Sequence, residues 1–379
     1  MMYAFAKDIT RIFLRRMLNP TAKIHRKGDT LEEISKKVLD ECFFEGFFHV
    51  SPNNFKSFFV RDFCIIAKPL CELGYKEQVH STIDFVFRHF MKKGRITTTI
   101  SKGLFGYGCY NLPHNALDSY ALFMKTIQDS GYKISKEQKN FLLKQARWVR
   151  NNLLEKNGLP LGKKYFSSIR DHTKRKSSGY NIAMLGYINL FFERNKIKSP
   201  LAKFDYKKIL LDDYWNGDFY HDDLGHKGIF CSDSNIVPFW LELDTAQTRF
   251  EKVMKQIIDK NLDLPYVLKY NTKEDAKKIR FTHWRIFNPN YETYTIWTHL
   301  GIIYLQTLVM MGKKEAAKEH FDRIVGFIEK HGNIVEVLTP DGRSYESLFY
   351  LADESLSWIA GVWQFQKELK QDTETEKQS

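Results

Sequence analysis

The chain has 379 residues, 43% hydrophobic and 15% aromatic, with a formal net charge of +13, a length that fits two domains or one large repetitive one. Its basic residues are dispersed as Lys-Lys and Arg-Lys pairs without a phosphate loop, zinc-finger spacing or RNP-like strand, so a solvated surface is expected and a nucleic-acid partner is not. Five cysteines (Cys42, Cys64, Cys71, Cys109, Cys231) without CxxC spacing exclude a disulfide frame, and the lack of a secretory signal or bilayer-length apolar run makes a cytoplasmic protein the expectation.

In chain order, the amphipathic stretch Ala4–Met17 carries Arg11, Arg15 and Arg16. It has the make-up to touch a membrane surface without inserting stably. Packing as an extra helix is the expectation, with residues 1–28 as helix and linker. Asp29-Thr30 then caps LEEISKKVLDECFFEGF, whose apolar residues fall at helical spacing. From Phe58 a pattern begins that repeats. A helix apolar nearly all round stops at Gly74-Tyr75-Lys76 and is followed by an amphipathic one; the same grammar recurs around Gly131-Tyr132-Lys133 and Gly312-Lys313-Lys314. Helices apolar on all sides are buried, and striped ones cover them. Such pairs cannot bury themselves alone, so they imply a stacked array. About six pairs, with stops roughly sixty residues apart, would fill the chain. An inner ring of buried helices inside an outer amphipathic ring is an all-α (α/α)6 toroid, here a single domain over 29–370. RITTTI (Arg95–Ile100) and NIVEVL (Asn333–Leu338) are expected to pair as short strands outside the helices. The polar tail, 371–379, is expected to be disordered.

All inner helices of such a barrel start at one end, so the connections that precede them hold the candidate functional residues. Arg61-Asp62 opens one inner helix and has the chemistry to fork-bond vicinal hydroxyls; a cap with a salt bridge is the structural alternative. Asp118 opens another, where a helix cap is the alternative to a ligand role. Asp171 lies in a long loop before a third, and Trp284, Tyr291, Tyr294 and Trp297 cluster at a further entrance. Near the end, Gly332–Gly361 places Glu336 just past a glycine and ahead of the turn Pro340-Asp341-Gly342, then starts a helix containing Trp358. Carboxylates held on loops beside aromatics suit acid/base cleavage of a glycosidic bond.

These stretches resemble the six-hairpin glycosidases: glucoamylase, the amylo-1,6-glucosidase part of glycogen debranching enzymes, and neutral/alkaline invertases. The resemblance runs from about Phe58 to Trp363. VRDF at Val60–Phe63 resembles the Arg-Asp that grips the sugar in the −1 subsite, and GLPLGKKYFSSIRDH resembles the loop that carries the general acid, at Asp171. NYETYTIWTHLGIIYLQTLVMMGKKEAA resembles the aromatic inner helix and its hairpin, and NIVEVLTPDGRSYESLFYLADESLSWIAG the stretch with the general base, at Glu336. The sequence departs from the family in lacking a tryptophan before Asp171 and in having Glu292-Thr293 for a His-Asn-Gly stretch.

The resemblance implies an inverting glycoside hydrolase acting on an α-glucosidic or sucrose-type bond of an oligosaccharide or glucoside. Asp171 would be the acid and Glu336 the base, with Glu346, Asp353 and Glu354 competing for the second role. Arg61, Asp62 and Asp118 would bind sugar, with Tyr107, Trp215, Trp284 and Trp297 as sugar-facing aromatics. The acid must carry a proton, so Arg170 is expected to point away from Asp171. No metal or other cofactor is expected. Three other readings remain: a binding barrel without catalysis, which wins if Asp171 and Glu336 do not share a cavity; an isomerase or lyase using a His pair from His172, His283 and His299; and a nucleic-acid-binding helical repeat, which a continuous basic groove without carboxylates would support. A charged substrate, motivated by the +13 charge, would place Lys or Arg at the pocket rim.

Overall fold

The computed structural model describes residues 2–19, 21, 23–111, 116–162, 164–166, 168–225, 227–281 and 286–378, the side chains of 2–6, 8 and 372–378 aside. Helix α1 (Met2–Leu18) precedes α2 (Leu31–Cys42), whose first turn is capped by the Thr30 hydroxyl accepting from the Glu33 N–H. FFEGFF then folds as a hairpin, β1 (Phe43–Phe44) on β2 (Phe47–Phe48). Strand β3 (Phe58–Phe59) leads into α3 (Val60–Glu72) and α4 (Lys76–Lys93). It also pairs with β4 (Thr99–Gly103), which pairs with β5 (Gly106–Tyr110). Next come α5 (Asp118–Asp129) and α6 (Lys136–Asn152), then α7 (Gly179–Arg194) and α8 (Tyr206–Ile209), the last continued by a π-turn through Tyr214. They are followed by α9 (Ser232–Trp240), α10 (Gln247–Asp259) and the short α11 (Lys273–Lys278). Strand β6 (Ile296–Trp297) enters α12 (Thr298–Met310), α13 (Lys314–His331) follows, and β7 (Val337–Leu338) precedes α14 (Ile359–Gln378).

The inner ring is α3, α5, α7, α9, α12 and α14. From α3 to α12 each packs on the next, and both α14 and α12 pack on α3. At the α12–α14 contact Gly361 lies so close to Ile302 that a Cβ would sit 2.6 Å from its Cγ2. The striped helices lie outside, and α2, from the start of the chain, covers α14 from its end. This is the all-α (α/α)6 toroid read from the hairpin grammar.

The hairpins share one turn. At Gly74, Gly131 and Gly312 φ is 98°, 63° and 69°, the left-handed region where glycine is unstrained. The next residue's N–H bonds back to the carbonyl five positions earlier, as in Tyr75 N to Leu70 O at 2.8 Å, which is a Schellman stop. The α7 and α9 stops use the same bond, Ile197 to Phe192 and Leu243 to Pro238, with Lys196 and Glu242 in the left-handed position.

Three local expectations are corrected. RITTTI and NIVEVL belong to different sheets: β4 pairs with β3 and β5, whereas β7 pairs with β6. The tail from 371 continues α14 to Gln378, because its Glu, Lys and Gln are good helix formers extending a helix already nucleated. Trp358 stands one residue ahead of α14 rather than inside it.

Candidate active site

The starts of the inner helices converge on a cavity of about 200 Å³. Asp171 and Glu336 both line it, together with Arg61, Asp62 and Trp297. A cavity of this size is smaller than the roughly 300–1,000 Å³ of drug-sized pockets.

Glu336 is fixed by the β6–β7 pairing, in which Trp297 faces Val337 and the Thr298 N–H donates to the Glu336 carbonyl at 3.2 Å. Its carboxylate accepts from the Tyr291 hydroxyl (2.5 Å), the Asp353 N–H (3.0 Å) and the Tyr350 hydroxyl. A carboxylate has about four acceptor sites, so one remains for a water. Burial pushes the Glu336 carboxyl up to about 7 against the pull of those three donors. Its competitors are elsewhere. Asp353 is buried on Arg15 and Ser51, Glu354 is held by His25 and Arg15, and Glu346 is exposed.

Asp171 rides on a loop pinned from within. The Glu292 carboxylate accepts from the Asp171 and His172 N–H groups, both at 2.7 Å. Arg170 turns away from the cavity, donating to the Glu292 carbonyl at 2.6 Å and lying over the Tyr270 ring. The cation beside Asp171 is instead Arg61, at 2.9 Å, so the expected sugar clamp is engaged in an ion pair. Asp118 does not cap α5. Fully buried behind the lining, it accepts from the Ile169 N–H (3.0 Å) and the Tyr180 hydroxyl (3.2 Å) and lies 3.6 Å from Arg61. Ile169 holds φ at 44°, a strained value for a β-branched residue, two positions before Asp171. Asp62 accepts from the Trp358 indole N–H at 3.0 Å, and burial pushes its carboxyl up to about 6.

Of the aromatics, Trp297 lines the cavity, packed on Tyr291 and His299. Tyr107 and Trp215 do not. Tyr107 packs edge-on against Phe47 and Phe85 in the β5 hairpin, and Trp215 packs on Tyr220. Trp284 and His283 lie outside the described residues. His299 lines the cavity, but burial pulls its imidazole down to about 3, and His172 is not on the lining, so the described residues bring no His pair together there. Sequence reasoning does not single out Tyr291, Tyr350 and Glu292 as the residues that orient the two carboxylates. The NYET stretch that carries two of them is the available signal. A buried cluster of Asp222, Cys231 and Asp233 has metal-ligand chemistry, but the Arg175 guanidinium fills it at 3.0 and 2.6 Å from the two carboxylates.

No family model matches the chain, and no curated protein matches it in sequence. Solved structures do. A rhamnosidase from Klebsiella oxytoca with rhamnose bound superposes with a TM-score of 0.63 at 12% identity, over 90% of this chain and 63% of that one. The GH63 mannosylglycerate hydrolase from Thermus thermophilus in complex with glucose gives 0.62 at 12%, over 89% and 100%. A glycosidase variant with a glutamate changed to alanine, in complex with glucose, gives 0.62 at 10%, over 95% and 96%. The chain has the six-hairpin glycosidase fold. It spans less than two thirds of the rhamnosidase but the whole of the hydrolase.

Proposed function

We propose that the protein is a glycoside hydrolase that uses Asp171 as general acid and Glu336 as general base on a neutral glycoside. The observation that carries this reading is that two carboxyl groups from loops far apart in sequence line one cavity with Arg61, Asp62 and Trp297, inside a barrel shared with sugar-bound hydrolases. In the reaction, the glycosidic C–O bond breaks as Asp171 gives its proton to the leaving oxygen. Water bonds to the anomeric carbon and passes a proton to Glu336. Attack from the side opposite the leaving group inverts the centre. An α-glucosidic or sucrose-type bond is the first substrate class to test, because it is the one the resembled families cleave.

The charged-substrate idea loses support. Among the described residues, Arg61 is the one Lys or Arg on the lining, it is paired to Asp171, and the same lining also holds the carboxyl groups of Asp62, Glu292 and Glu336. A binding barrel without catalysis is favoured by one observation, the same Arg61–Asp171 pair, since an acid must hold a proton. Substrate hydroxyls that take over Arg61 would free Asp171.

The test is turnover of α- and β-glucosides, sucrose and rhamnosides by the wild type, Asp171→Asn and Glu336→Gln. Loss of at least about a hundredfold in kcat for each variant, with circular dichroism unchanged, is expected. Turnover that survives both changes would place the chemistry elsewhere.

A further inference from the structure

The cavity changes character between floor and mouth. Its carboxylates sit at the level where the inner helices begin. On the solvent side the lining is Ile9 and Ile12 of α1 with Val50, Asn54, Phe55 and Phe59. This side opens to solvent, since Ile9 is 42% exposed and Phe55 and Phe59 are half-buried, and the Asp171 side chain, 37% exposed, lies on the open part as well; Ile65, Leu122 and Ile303 on the far side are all buried. Asn54 is the single polar side chain of that wall; its amide nitrogen donates to the Leu351 carbonyl at 3.3 Å, while its buried side-chain oxygen has no hydrogen-bond partner among the described residues.

Helix α1 lies outside the barrel ring yet is tied across the mouth. Arg11 Nε donates to the Asn54 carbonyl at 3.1 Å, Arg15 meets Asp353 at 3.1 Å, and Arg16 donates to the Ser347 carbonyl at 2.8 Å. Phe13 stacks on Phe349. These anchors reach the segment whose Tyr350 and Asp353 bond Glu336, so the helix is built against the site. The Asn54 oxygen could accept from one hydroxyl, but the other hydroxyls of a sugar against five apolar side chains would go unpaired, which is costly; an alkyl or aryl group there removes apolar surface from water. From Ile9 the apolar surface continues outward along α1 through the exposed Phe13 and Leu14.

We propose that Ile9, Ile12, Val50, Phe55 and Phe59 form a leaving-group subsite for an alkyl or aryl aglycone, with α1 as its outer wall. This rests on the glycoside-hydrolase reading for the sugar half of the substrate. It is a subsite that the barrel alone does not complete.

The test is calorimetric binding to full-length Asp171→Asn protein of methyl, monomeric octyl and phenyl α-glucosides, with matching mannosides and rhamnosides. Octyl or phenyl is expected to bind at least about tenfold tighter than methyl for the sugar that fits. The Ile9→Ser/Ile12→Ser pair is expected to cut that ratio by about tenfold, as is Phe55→Ser on a separate segment, while Met17→Ser, two thirds exposed on the same helix, leaves it unchanged. Equal affinities, a ratio untouched by either variant, or no binding by any pair would overturn the subsite. So would a common rise for methyl and octyl in the double variant, which would make α1 a plug. Wild-type turnover measured alongside separates the two claims. Hydrolysis without aglycone preference sinks the subsite alone, and aglycone-selective binding without hydrolysis sinks the hydrolase reading and leaves these residues an apolar binding site with no leaving-group role.

Discussion

Glu336 is a carboxyl group that burial raises to about 7, while three donors hold it ready to ionise. A general base must be ionised, so activity is expected to rise with pH through about 7. His299, held near 3 by burial, is neutral throughout that range and does not produce the rise. Tyr350→Phe removes a donor to the charged form and is expected to move the rise up by about one pH unit. Because Tyr350 bonds Glu336 and not Asp62, an unmoved profile would assign the titration to another group. Stability carries the same signature. The folded value lies above the ordinary 4.5, so the folded state binds the proton more tightly, and this contribution is whole below about 4.5 and lost as pH rises through about 7. Glu336→Gln is therefore expected to be more stable than wild type at pH 8, by up to about 3 kcal/mol, and no more stable at pH 4. Urea unfolding at both pH values checks this. A variant that gains stability while losing turnover marks a group retained for chemistry.

The elements that matter most are the two loops that present the carboxylates. The Asp171 loop depends on Glu292, whose two oxygens take consecutive N–H groups. Glu292→Ala leaves both N–H groups without their acceptor and is expected to cost about 2–4 kcal/mol and to speed amide exchange over residues 168–173. Unchanged exchange in that segment would show that Arg170 and Arg175 suffice to hold it. Sequence order located these loops because a carboxylate before an all-apolar helix has few other places to lie. It could not separate Trp297 from Tyr107 and Trp215. All three sit in connections, and only the β6–β7 pairing turns the first inward, whereas the others pack on local aromatics. Nor could it foresee that Arg61 pairs with Asp171, since the partners come from different hairpins.

At the scale of the molecule, the barrel was legible where its turns use glycine. Gly74, Gly131 and Gly312 punctuate their hairpins in the sequence; the α7 and α9 stops, with Lys196 and Glu242 in the same left-handed position, do not. The turn geometry is common, and only the residue that marks it differs. Closure of the ring depends on close approach between inner helices. Gly361→Ala is expected to cost about 1–3 kcal/mol, because its Cβ would meet Ile302 Cγ2 at 2.6 Å, and chemical denaturation reads the loss directly. A neutral result would mean that α14 shifts freely against α12.

The central claim is that Asp171 and Glu336 act from opposite sides of one glycosidic bond. The most direct measurement is proton NMR of the first sugar released from a substrate the wild type hydrolyses, recorded before mutarotation. Release of the anomer opposite to that of the substrate is the predicted result. Release of the same anomer would require a covalent glycosyl-enzyme intermediate and would contradict the roles of Asp171 as acid and Glu336 as base.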